Sequence, residues 1–387
     1  MLIHEIKLNN FLSFGESDKP IPLGPLNVVI GPNGSGKSNL LESIELLRSA
    51  PDQLLKPIRE GGGVRDWLWK GGQGNPTASL NVVVDNPKGA QRLRYVLSFT
   101  ESGQRFEIAD EKIEKEKPDA GYPQPYFFYH FNRGHPMLNI NGAKRILREE
   151  DIDIEKSILS QRRDPEQYPE ITYLGQTFGK IRLYREWSFG RYTAPRLPQK
   201  ADLPNDMLEP DASNLGLVLN RLGGDPVVKA RLLKALRALY DGIDDYHVQI
   251  EGGTVQVFFH EGRFKIPATR LSDGTLRYLC LLAILCHPNP PPLVCIEEPE
   301  LGLHPDILPT LTELLIEASE RCQIIVTTHS DVLVDAMTDR PEAVLVCEKT
   351  SGGTTMHRLN ADKLKPWLEK YRLGALWTRG EIGGTRW

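Results

Sequence analysis

The sequence predicts an α/β fold with a mixed sheet at its core, a block of antiparallel strands and a mostly helical insertion. Three observations carry this. The octet Gly31-Pro32-Asn33-Gly34-Ser35-Gly36-Lys37-Ser38 fits the P-loop pattern G-x-x-x-x-G-K-[ST], between a strand-like run, Leu26–Ile30, and a segment of helical spacing, Asn39–Leu47. Short apolar runs separated by helical segments return late in the chain, at Leu293–Ile296, Gln323–Thr327 and Ala343–Cys347, as buried strands of a parallel sheet do. Between them and the first helix lie strand-like segments with a strong turn, Asn86-Pro87-Lys88-Gly89, which read as an antiparallel block.

Taken in order, residues 1–30 read as two strands leading into the P-loop. Leu80–Asp85, Arg92–Phe99, Arg105–Ile108, Tyr126–Tyr129 and Met137–Ile140 read as further strands, and the charge run Asp110–Lys117 as a solvated loop. Glu149–Ser160 and Asn214–Tyr240 have helical patterning, the latter with leucines at three and four spacing. Ser188–Asp211, rich in proline and aromatics, reads as irregular, and strands resume at His247–Glu251 and Val255–His260. The expected division is 1–148 for the first part of the nucleotide lobe with its antiparallel block, 149–246 for the helical insertion and 247–387 for the returning part of the lobe.

Composition narrows the functional classes. A length of 387 residues, 40% hydrophobic and 25% charged, is ordinary for a globular protein, and the net charge of −4 supplies no global field for nucleic acid. The start, Met1–Lys7, has no secretory pattern, and the apolar run near Leu279–Cys286 is too short to cross a bilayer, so a cytoplasmic protein without membrane contact is expected. Five cysteines lie in apolar segments without a C-x-x-C spacing, which reads as reduced core thiols.

The P-loop glycines let backbone N–H groups converge on phosphate oxygens, with the helix N-terminus behind them. Asn33, Gly34, Ser35, Gly36, Lys37, Ser38 and Asn39 are the candidate ATP-binding residues, Lys37 reaching the β- and γ-phosphates and Ser38 holding Mg²⁺. Leu293–Ile296 ends in Glu297-Glu298-Pro299-Glu300, carboxylates at the carboxyl end of a parallel strand, where α/β sheets place ligands. Glu297 is the candidate for the Mg²⁺ shell and Glu298 for polarising the attacking water. Three glutamates this close repel one another unless compensated. Leu271-Ser272-Asp273-Gly274-Thr275 opens an apolar helix, which makes either an anion site or a plain N-cap. Ile324–Thr328 ends at His329, placed for a γ-phosphate sensor.

These four elements, in this order, resemble the ABC-type ATPases, and within them the group around RecF, the SMC proteins and the OLD family. Gly31–Ser38 looks like Walker A, Leu271–Thr275 like the signature motif in the form LSDGT, Leu293–Glu298 like Walker B with its catalytic glutamate, and His329 like the switch histidine. Asn10-Phe11-Leu12-Ser13-Phe14, Glu297–Pro305 and the tail with Trp367-Leu368, Leu373–Trp377 and Gly383-Gly384 resemble small stand-alone members of that group. The chain departs from the pattern at Glu297, where an aspartate is usual, and at Leu12, where a basic residue is frequent. Gln161 is the candidate for the metal-binding Q-loop glutamine, and Leu303-His304-Pro305 for the D-loop.

The resemblance implies an ABC-type head that hydrolyses ATP with Mg²⁺ as a head-to-tail homodimer. ATP on Lys37 and Ser38 of one subunit then meets Ser272, Asp273 and Gly274 of the other, so binding closes the dimer and hydrolysis opens it. Three roles compete: a DNA-linked motor or sensor in anti-phage defence or repair, a regulatory ATP switch acting on a partner protein, and a transporter cassette, the weakest. After His329 the chain is too short for a nuclease domain, so a separate nuclease-like effector subunit is expected. Lys180, Arg182, Arg185 and Arg191 interleave with aromatics as a candidate DNA contact, the alternative being a strand followed by a packed loop. Trp67-Leu68-Trp69-Lys70 reads as core packing.

Overall fold

The computed structural model describes residues 1–385 except 73, 75, 133, 141–142 and 148–151. The chain forms two compact units, one of Met1–Ile181, Leu345–Leu359 and the segment from Ile382 onward, the other of Arg182–Val344 and Asn360–Glu381. The expected boundary at 148/149 lies outside the described residues, and the expected helical insertion is not a unit of its own. Its helices Ile158–Gln161 and Pro169–Gly179 belong to the first unit, and Leu215–Gly223 and Pro226–Leu239 to the second. The predicted Asn214–Tyr240 helix is thus two, interrupted where Asp225 caps the second by accepting from Val227 N at 2.8 Å.

In the first unit an antiparallel sheet runs in the spatial order Ile21–Pro22, Ile3–Asn9, Ala78–Val84, Leu93–Ser102, Arg105–Lys115, Phe127–Asn132, His135–Ile140, Ala143–Ile146. The P-loop strand Leu26–Ile30 is buried at all five positions, which is why it does not alternate. It neighbours Val344–Thr350, which pairs antiparallel with Gly353–Arg358.

The charge run after Asp110 is strand rather than loop. Ser98 pairs with Asp110 and Phe99 with Ile108, so Ala109 is an extra residue. This bulge shifts the alternation, and Phe106, Ile108, Glu111 and Ile113 become the buried positions. The sequence hid the strand because its period breaks at Ala109.

In the second unit Arg182–Tyr184, Leu293–Glu297 and Gln323–Thr327 run parallel, with Tyr184 opposite Ile296 and Ile296 opposite Val326. This register delivers Arg185, Glu297 and Thr327 side by side at the carboxyl ends. A second antiparallel sheet joins Gln199–Lys200, Thr254–Glu261, Asp245–Glu251 and Phe264–Pro267. Helix Asp273–Leu285 is buried on nearly every face after its first turn, so its start is held rigidly.

Glu111 is buried in the first unit, accepting from Tyr95 Oη at 2.8 Å, from Ile158 N at 2.9 Å and from Ser157 Oγ. Burial raises its pKa from 4.5 to about 7, against the opposing effect of those three donors. Between these values the folded chain keeps a proton that the unfolded chain releases. The stabilising contribution is therefore complete below about pH 4.5 and is lost as pH rises through about 7. The loss amounts to roughly 3 kcal/mol. Urea midpoints of the wild type should fall between pH 5 and pH 8 by more than those of Glu111→Gln; parallel curves would show that Glu111 does not titrate in this way.

Candidate functional site

The first unit carries the phosphate cradle. Gly31, Gly34 and Gly36 have positive φ, of 153°, 77° and 112°, a series that turns backbone N–H groups inward. Lys37 is 6% exposed and its Nζ donates to Gly31 O at 2.9 Å and Pro32 O at 3.3 Å, which folds the ammonium over its own loop. The Ser35 carbonyl is pinned from behind, accepting from Thr354 Oγ1 at 2.6 Å and Cys347 Sγ at 3.3 Å. A carbonyl only accepts, so the Thr354 proton goes there. Ser13 Oγ, 2.7 Å from Thr354 Oγ1, continues the chain and receives Asn39 Nδ2 at 2.6 Å. Ser13 sits in the early motif that the sequence singled out, and the loop around it is shaped by packing. Leu12 N donates to Trp67 O at 2.8 Å, and Phe11 meets Trp67 edge-on at 5.5 Å. Trp67 is thereby accounted for as packing, and Leu12 adopts φ 49° as part of this turn.

The second unit carries the acidic turn. Its three glutamates point to three different partners. Glu297 Oε2 accepts from Arg185 Nε at 2.9 Å. Glu298 Oε1 faces His329 Nε2 at 3.5 Å. Glu300 Oε1 accepts from Thr328 Oγ1 at 2.7 Å and His329 N at 2.8 Å. Glu298 has φ 46°, left-handed and uncommon for a side chain, and its N–H donates to Thr327 O at 3.0 Å. This twist separates Glu298 from Glu297, and Glu300 holds the loop that presents His329.

The signature segment is fixed by contacts within the same unit. Ser272 caps its helix, with Oγ accepting from Thr275 N at 3.1 Å. Gly274 has no room for a side chain, since a Cβ would lie 2.5 Å from Gly302 O. Arg196, 8% exposed, donates from Nε to Phe189 O at 2.8 Å, from Nη1 to Leu271 O and Thr269 O, and from Nη2 to Asp273 Oδ1. Ser272 and Asp273 are exposed, as are Leu301, Gly302 and His304–Asp306.

Several of the predicted residues make local contacts. Both ends of the Gln161 amide are engaged locally, Oε1 with Asp153 N at 2.9 Å and Nε2 with Lys156 O at 2.8 Å and Asp153 O at 3.1 Å. Gln161 therefore ties down its own loop, and this geometry gives no support to a metal role. The four cations chosen for DNA contact do not act as one surface feature. Arg185 pairs with Glu297, Arg182 lies in a strand bonded to the Glu297 strand, buried Tyr184 donates from Oη to Leu208 O and half-buried Trp187 from Nε1 to Pro210 O, each at 2.9 Å, and Tyr192 is exposed. Lys180 and Arg191 are exposed, in the first and second units respectively. The sequence missed the roles of Ser13, Thr354, Arg185, Arg196 and Glu300. Three carboxylates within four residues signalled that a cation had to be near, without saying which.

The chemistry of these groups fits phosphate and a hard divalent cation. Ser35 Oγ is buried with no hydrogen-bond partner among the described residues, inside a loop of positive-φ glycines. Ser38 in the first unit has a hydroxyl oxygen and Glu297 in the second a carboxylate oxygen, each of the kind that Mg²⁺ takes. Burial pushes the Cys347 thiol beneath the loop up to about 11, which keeps it neutral there.

Comparisons with known proteins agree with this chemistry. The family described as "AAA domain, putative AbiEii toxin, Type IV TA system" matches residues 26–335. The OLD nuclease of Thermus scotoductus is 24% identical over 365 residues, covering 90% of this chain and 62% of that protein. The DNA replication and repair protein RecF of Brucella abortus is 43% identical over 68 residues, 16% of this chain and 17% of RecF. Among solved structures, an SMC head bound to the C-winged helix domain of ScpA superposes with a TM-score of 0.56 at 15% identity, covering 94% of this chain and 99% of that one. A Pyrococcus furiosus Smc head with an extended coiled coil gives the same TM-score, over 96% of this chain and 99% of that one. These structures show the fold, that of an SMC head.

A Cβ on Gly36 would press on Ser13 Oγ at 2.7 Å and on Thr354, at a φ that side chains avoid. Gly36→Ala should weaken ATP binding by at least about tenfold and lower stability by roughly 1–3 kcal/mol, read by calorimetric titration and thermal unfolding. Unchanged affinity would show that the Ser13–Thr354 network does not set the cradle.

Proposed function

The chain belongs to this AAA-domain family and is an ABC-type ATPase related to RecF, SMC and OLD proteins, and on that premise we propose that it hydrolyses Mg·ATP as a switch that closes between two copies. The observation that carries this reading is the signature segment. Ser272 and Asp273 are exposed, yet they are locked by buried Arg196 and by the contact of Gly274 with Gly302. A rigid, exposed phosphate-binding turn is built to meet something outside its own unit. Lys37 and the P-loop amides would hold the phosphates, Ser38 and Glu297 would hold Mg²⁺, Glu298 would orient and deprotonate water, and His329 beside it would contact the γ-phosphate. Mg²⁺ supplies charge neutralisation of the phosphates when bound. Ser272, Asp273 and Gly274 would come from the second copy.

The output is proposed to be DNA-linked, in defence or repair, with a separate nuclease-like subunit as effector. The names of the Thermus and Brucella relatives and the family's description as a toxin of a toxin–antitoxin system support this. The chain spans 62% of the Thermus nuclease, so that protein's full activity is not carried over. The internal pairing of Arg185 favours a second reading, a switch that acts on a partner protein without touching DNA itself.

Three measurements test these proposals. Glu298→Gln, sized by light scattering, should be monomeric without nucleotide and dimeric with Mg·ATP. A monomer under both conditions, with ATP bound by equilibrium titration, would sink the closure reading. Added duplex DNA should raise wild-type turnover; if it neither binds nor changes turnover, the partner-protein reading stands. Glu300→Ala removes the acceptor for Thr328 Oγ1 and His329 N, and should lower kcat by about tenfold or more at unchanged ATP affinity. Glu300→Gln, which keeps an acceptor oxygen, should lose less. Equal losses in the two variants would count against the positioning role.

A further inference from the structure

The stretch from Arg185 to Arg196 touches both parts of the second unit's chemistry. At its start, Arg185 Nε holds Glu297 Oε2 at 2.9 Å, with both side chains about four-fifths buried, at 22% and 20% exposure. In its middle, Trp187 and Phe189 meet edge-on at 5.8 Å. The Arg277 guanidinium lies over both rings, at 5.5 and 5.4 Å, and its Nη1 reaches Glu298 O at 3.4 Å. At its end, Arg196 grips Phe189 O, Leu271 O, Thr269 O and Asp273. The acidic turn and the signature loop are therefore joined by one continuous set of contacts.

A guanidinium and a divalent cation on the same carboxylate repel each other at close range. We infer that Arg185–Arg196 is a coupling strap: Arg185 is the counter-ion of Glu297 until a divalent cation arrives with nucleotide, and its release is passed through Trp187, Phe189 and Arg277 to Arg196, whose grip on Leu271 and Asp273 sets how firmly Ser272–Gly274 are held. Arg185 and Arg196 are positioning residues, acting through Glu297 and Asp273. The inference rests on the proposed role of Glu297 as a metal ligand. It gives the closure reading a cause, since a signature loop that responds to the cation readies one copy for the other only when its own site is loaded.

The test is made on monomers, at a concentration set by light scattering, so that failure of the dimer reading leaves it readable. Amide hydrogen exchange is followed over residues 269–276 with ATP present, with and without Mg²⁺, and cation binding is measured separately by Mn²⁺ paramagnetic resonance. In the wild type, Mg²⁺ should change exchange of that segment by about fivefold or more. In Arg185→Gln, and in Arg196→Lys, which keeps the charge without the guanidinium fork, the response should be lost while Mn²⁺ still binds. The strap is overturned if the wild type binds Mn²⁺ without any response at 269–276, or if Arg185→Gln responds as the wild type does. The wild-type arm alone decides the matter should a variant fail to fold.

Discussion

Three carboxylates within four residues, at the end of one buried strand, are the constraint around which the second unit is arranged. Like charges held this close along the chain oppose one another unless each is compensated. The chain answers with a cation or donor for each, His329 serving two of them. Glu297 has Arg185, Glu298 has His329, and Glu300 has the Thr328 hydroxyl and the His329 amide. Each partner belongs to an element that must then lie at the same end of the sheet. The parallel register, with Tyr184, Ile296 and Val326 in one row, is what places those elements there.

The same constraint explains the local strain. A regular extension of the strand past Glu297 would send alternate side chains to opposite faces. The left-handed φ of Glu298 ends the strand abruptly, and its N–H is caught by Thr327 O. The acidic turn and the histidine loop are thus bonded to each other through backbone and side chain alike. Movement of either carries the other with it, which is a useful property where a carboxylate and a histidine must face one reacting group. The turn also runs on into Gly302, against which Gly274 packs, so the signature loop shares the same foundation.

Much of this was legible in the sequence, and what was not has identifiable causes. The P-loop, the buried strands at Leu26–Ile30, Leu293–Ile296 and Gln323–Thr327, and the helix after Ser272 were readable because apolar periodicity and turn chemistry are local. The strand through Asp110–Lys115 was hidden because a bulge at Ala109 breaks its alternation. Residues Ser13 and Thr354 lie far apart in sequence and meet only through the fold. The stretch from Lys180 to Arg191 was ambiguous for a chemical reason. Cations interleaved with aromatics suit stacked bases and phosphates, and they suit equally an acidic turn that needs neutralising.

Ser272 shows why a cap and a ligand site need not compete. Its Oγ accepts from Thr275 N and lies 2.7 Å from Thr275 Oγ1. When Thr275 Oγ1 is the donor of that contact, the serine keeps its own proton, which can be donated outward. Capping also holds the hydroxyl beside the first amides of the helix, where anions are favoured. The N-cap reading and the phosphate reading therefore describe one geometry. What distinguishes a site from an ordinary cap here is the environment: a buried arginine fixes the loop from beneath, a glycine allows the neighbouring turn to approach, and the serine itself is left exposed. Rigidity beneath and exposure above are what a phosphate arriving from another copy would require.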